Sequence, residues 1–146
     1  MRMSRCFLLP LMLLALLVAA VSAQPPGDDL NRKLVQSYDL LEAGKLEQAK
    51  NLYREILKQH PDHPLALNNL AAILVKQGSY DQALDYLRRA LQRAQGYKVL
   101  VNKVCDINQV CLAFRTMPEA YGDTVLAPLI QFNIDLVEAH KAGSRE

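Results

Sequence analysis

The sequence predicts a mainly α-helical solenoid of two stacked antiparallel helix hairpins, extended by a β-hairpin and closed by a C-terminal capping helix. Three observations carry this. Residues recur with a period of 34: Leu40/Leu74, Gly44/Gly78, Gln48/Gln82, Ala49/Ala83, Arg54/Arg88 and Leu57/Leu91. Such self-similarity marks stacked supersecondary units. Each period reads as an apolar stripe at helical spacing, a glycine and a second stripe. The period then stops near residue 96, where Ala- and Gln-rich sequence gives way to β-branched residues.

The chain has 146 residues and 16.4 kDa, enough for one domain. Its first 23 residues read as a leader. Arg2 and Arg5 precede an uncharged apolar run from Phe7 to Val21, and Val21-Ser22-Ala23 offers small residues for cleavage after Ala23. Gln24 stands where a lipoprotein would need its acylated cysteine. An uncleaved anchor is the alternative, since the uncharged stretch from Cys6 to Gly27 just suffices to span a bilayer. Cleavage leaves no membrane segment and places the protein in the periplasm or outside the cell. The leader holds two of the 17 basic residues and none of the 15 acidic ones, so the processed chain is formally neutral. That balance argues against nucleic acid as a partner.

After a linker at 24–29, the two units cover 30–96. In the first, Leu34, Leu40 and Leu41 precede Gly44, and Ala49, Leu52, Tyr53 and Ile56 follow. Pro61 ends that unit because it cannot continue a helix. In the second, Leu67, Leu70, Ala71 and Leu74 precede Gly78, and Ala83, Leu87, Ala90 and Leu91 follow. Both glycines suit the positive φ that closes a helix. Small Ala83 lies where two helices come closest.

These residues resemble the tetratricopeptide repeat. Asn69-Leu70-Ala71 and the phrase from Gly78 to Leu84 stand close to the family form. Gln36-Ser37 in unit one and Gln95 in unit two depart from it. The resemblance implies a concave groove for a protein or peptide partner, lined by the first helix of each unit. Carried over by position, the groove residues are Asn31, Leu34, Val35, Tyr38 and Glu42, then Leu65, Asn68, Asn69, Ala72 and Lys76. Asn68 or Asn69 would bond a ligand main chain, and Lys76 would meet an acid. Unit one is the more apolar, which calls for an apolar ligand segment or for cover by the chain's own C-terminal part.

Two units cannot bury their outer faces alone, so residues 97–146 must cap the stack or pair it with a second copy. Within 98–115, Leu100, Val104, Ile107, Cys111 and Phe114 fit a helical stripe, whereas Val110, Leu112 and Phe114 alternate as in a strand. Valine-rich composition favours a hairpin turning at Asp106–Gln109, with the helix left open. Cys105 and Cys111 would lie about 9 Å apart along a helix axis, too far for a disulfide, but could meet across a hairpin. An oxidising compartment favours that bond. A capping helix is expected over 124–141, with Pro128 near its first turn.

No residue pattern points to catalysis, a metal or a cofactor. His60 and His63 flank Pro61, which prevents a shared helix, and only Asp62 stands near as a third ligand; a solvated turn is the simpler reading. The cysteines lack the C-x-x-C spacing of a redox pair. The expected role is therefore an exported protein-interaction scaffold of the bacterial envelope, with no covalent chemistry. A thiol-disulfide protein using Cys105 and Cys111, a membrane-tethered subunit and a homodimer stay open as alternatives.

Overall fold

The computed structural model describes residues 26–99, 101–107, 110–116 and 124–144. The leader and its cleavage site lie outside the described residues.

Helices α1 (Pro26–Glu42), α2 (Leu46–Gln59), α3 (Pro64–Lys76) and α4 (Tyr80–Arg93) form two helix hairpins in sequence. The hairpins close identically. Gly44 and Gly78 both take φ of 74°. Gly44 N–H donates to Leu41 O and Lys45 N–H to Leu40 O; one period later Gly78 donates to Val75 O and Ser79 to Leu74 O. Each is a Schellman closure that satisfies the carbonyls a helix end leaves open. The repeated glycine thus becomes a repeated turn, and the turn fixes the angle of each hairpin.

Packing follows the stripes. Leu34, Tyr38 and Leu41 of α1 are buried, as are Ala49, Tyr53 and Ile56 of α2 and Ala83, Leu84, Leu87 and Ala90 of α4. Helix α3 is buried on every side from Pro64 to Val75. It touches α2 and α4, and on its remaining face α1 and a strand. A helix apolar all round requires such a central place. The Ser37 departure is accommodated: it fills a small buried position, and its hydroxyl donates to Leu34 O at 3.0 Å.

The turn between α2 and α3 is exposed at His60, Pro61 and Asp62 but not at His63, which corrects the reading of a fully solvated turn. Pro64 opens α3, and His63 is its N-cap, with Nδ1 accepting the Ala66 N–H at 3.3 Å. An imidazole therefore does here what Ser or Asp usually does at a helix start.

The segment after α4 is sheet, which closes the helical alternative for 98–115. Strand β1 (Lys98–Val99) pairs antiparallel with β4 (Thr124–Val125), and β2 (Val101–Ile107) with β3 (Val110–Thr116). The outer pair was not expected from the sequence. It also trims the last helix: Thr124 and Val125 are spent on the ladder, so α5 runs Leu126–Gly143 rather than 124–141. Cys105 pairs in register with Ala113, and Asp106 with Cys111, with an irregularity between the two pairs. The cysteine side chains lie outside the described residues.

Helix α5 packs along α4 and extends the stack. Its sequence echoes α3: Pro128 precedes Asn133-Ile134 as Pro64 precedes Asn69-Leu70. Unit two is thus followed by a further first helix, delayed by the inserted strands. Its inner face buries Leu126, Ile130, Ile134 and Val137, while Phe132 on the outer face is 58% exposed.

Candidate peptide groove

Strand β3 lies against both α1 and α3, the helices from which the sequence expects a groove. Strand β3 is buried at Leu112, Ala113 and Phe114. The groove is therefore filled by the chain's own extension. Of the positions carried over, Leu34, Tyr38, Leu65, Asn68, Asn69 and Ala72 are buried, Asn31 and Val35 are half-buried, and Glu42 and Lys76 are exposed.

Asparagines do the polar work. Asn69 Nδ2 donates to Phe114 O at 2.8 Å, and Asn69 Oδ1 accepts the Phe114 N–H at 2.9 Å. The side-chain amide thus pairs with one residue of β3 as a neighbouring strand would. Its other donor reaches Tyr53 Oη at 3.0 Å, and its other lone pair takes Asn68 Nδ2 at 3.1 Å. All four of its hydrogen-bonding positions are used. Two residues back along the strand, Asn68 Nδ2 donates to Leu112 O at 2.7 Å. The main chain of β3 is held at alternate residues because successive side chains on α3 meet a strand whose free edge repeats every two residues.

The third asparagine was not found from the sequence. Asn133 of α5 is fully buried, and its Nδ2 donates to Leu112 O at 3.0 Å and to Asn68 Oδ1 at 2.8 Å. Its orientation is fixed, since a flipped amide would set an oxygen against two acceptors. Its own Oδ1 is buried with no donor among the described residues. The Pro-to-Asn echo between α3 and α5 was the signal that could have found it.

At the rim, Arg115 Nε donates to Asp39 Oδ1 at 2.9 Å. At the other end of the stack His63 meets the extension: its Nδ1 is spent as a cap, so the neutral ring carries its proton on Nε2, 3.3 Å from Tyr97 Oη. Burial, aided by His60, lowers the His63 pKa to about 4, and burial also raises that of Tyr97. The cap favours the uncharged ring, because only that form leaves Nδ1 a lone pair to accept the Ala66 N–H. Among the described residues no group of three metal-ligating side chains comes together, and no helix is long and apolar enough to cross a membrane.

The helix-hairpin stack agrees with what comparison with known proteins finds. Residues 34–98 match the tetratricopeptide repeat. Such repeats are protein–protein interaction modules. The Protein CTR9 homolog of Arabidopsis thaliana is 38% identical over 56 residues, which is 38% of this chain and 5% of that protein. The chain thus spans a small fraction of that relative's length. No solved structure matches the chain.

Proposed function

We propose that this is an exported scaffold of the bacterial envelope, cleaved after Ala23, that binds a protein partner and performs no covalent chemistry. The observation that carries the reading is the Asn68–Asn69–Asn133 cluster, which holds an extended main chain in a groove built from rigid helices. A host already ordered binds without the entropic cost of arranging itself. The tetratricopeptide match supports the same role. The leader pattern supports export; a Cys105–Cys111 disulfide rests on the oxidising compartment alone, since Cys111 pairs with Asp106 and Cys105 with Ala113.

The test is site-specific photocrosslinking in the native envelope from Glu42 and Lys76, both exposed at the groove ends, with Gln92 on α4 as control. One discrete protein adduct from the groove positions and none from Gln92 is expected. A small molecule copurifying, with no protein adduct, would refute the reading. Intact mass of the native protein checks two further points: a start at Gln24, and the loss of two hydrogens that a disulfide entails.

A further inference from the structure

The inserted strands leave and rejoin the helix stack at one place. Lys98 pairs with Val125 and Val99 with Thr124, and Leu126 N–H donates to Tyr97 O at 3.0 Å. Helix α5 packs directly on α4. The walls of the groove therefore belong to α1, α3 and α5, and β3 is a tenant between them.

What holds that tenant is largely indifferent to its sequence. Four hydrogen bonds reach it, from Asn68, Asn69 and Asn133, and every one goes to the main chain of Leu112 or Phe114. Any extended peptide offers the same groups. Selectivity falls to the buried large-small-large run Leu112-Ala113-Phe114. The fit is also imperfect, because Asn133 Oδ1 stays buried without a donor among the described residues and such a group carries a desolvation cost. Arg115 adds a partly exposed pair with Asp39, a weak class of contact.

We infer that β3 is a resident competitor: the groove accepts an extended strand of large-small-large pattern from the partner, and β3 withdraws to admit it. This rests on the protein-binding reading above and adds its regulation. A tethered competitor acts at an effective concentration on the order of millimolar. The partner's apparent affinity is then its intrinsic affinity multiplied by the small fraction of molecules with β3 withdrawn. Loosening β3 without touching the groove should tighten binding in trans.

The probe is a fluorescent peptide carrying residues 110–116 with Cys111 as Ser, titrated by anisotropy into the purified protein. Phe114→Ala in the protein removes the tenant's largest anchor and leaves all three asparagines. It should bind the peptide at least about tenfold more tightly than wild type, given the cost of truncating a buried Phe. Arg115→Ala should gain roughly two- to fivefold, as loss of a surface ion pair implies. N-methylation of the peptide at the Phe114 position removes the donor to Asn69 Oδ1 and should abolish both gains. If Phe114→Ala fails to fold, Arg115→Ala decides. Folded variants that bind no more tightly than wild type, or gains that survive N-methylation, overturn the proposal. Crosslinking from Glu42 and Lys76 separates the two readings. A partner captured while peptide affinities stay flat removes the resident competitor alone; tightened peptide binding with no captured partner removes the envelope role alone.

Discussion

Asn69→Ala is the sharpest test of the clamp. The side chain is 1% exposed, so water cannot replace what is lost. Truncation breaks four hydrogen bonds of 2.8–3.1 Å. It strips the Phe114 N–H and C=O of these partners inside the groove. An orphaned buried polar group costs about 1–3 kcal/mol. Two such groups, with the lost Tyr53 bond and a small cavity, give roughly 3–5 kcal/mol. Asn68→Ala should cost less, about 1–2 kcal/mol, because Asn133 still reaches Leu112 O. Urea unfolding followed by helical circular dichroism measures both. With a slope of about 1–3 kcal/mol per molar urea, Asn69→Ala should lower the midpoint by roughly 2 M. A loss under about 1 kcal/mol, or a larger loss for Asn68→Ala, would show that β3 is not held through the Asn69 amide.

Acid should loosen the start of α3. His63 has a folded pKa of about 4, below its ordinary 6.5, so its contribution is complete above pH 6.5 and disappears as pH falls toward 4. The ceiling is about 3 kcal/mol, discounted for partial exposure; unfolding midpoints between pH 7 and 4 should fall less in His63→Asn, and equal falls would remove His63 as the cause. Gly78→Ala should lose about 1 kcal/mol because φ is 74° there with open space around the added methyl, whereas Gly143→Ala should lose nothing; calorimetry of the pair separates conformation from crowding. Phe132→Ser, on the exposed face of α5, should change stability by less than about 0.5 kcal/mol in the same experiment.

The repeat was legible because the same chemistry occurs twice. Gly44 and Gly78 each mark a closure, and Ala49 and Ala83 each mark a buried approach. The β-hairpin was half legible: valines at 99, 101, 104 and 110 outweighed a helical stripe that fitted equally well. The pairing of Lys98–Val99 with Thr124–Val125 was not, since two-residue strands carry no period. The groove positions were identified from the resemblance, but the identity of what lies over them was not. Nothing local in Leu112-Ala113-Phe114 says that it rests on α3, because that contact spans some 45 residues of chain. His63 was misjudged for a related reason: its solvent is displaced by Tyr97, 34 residues onward, across a tertiary contact no window of sequence contains.

The meeting of Tyr97 and Leu126 has a consequence for how such a chain can change over generations. A segment whose two ends touch can lengthen, shorten or be exchanged while the helices on either side keep their places, since loop closure depends only weakly on length. Lineages descended from this architecture are free to rewrite what sits in the concavity without rebuilding the concavity itself. Divergence should therefore concentrate between residues 98 and 125, with the three asparagines that read only backbone left untouched by it.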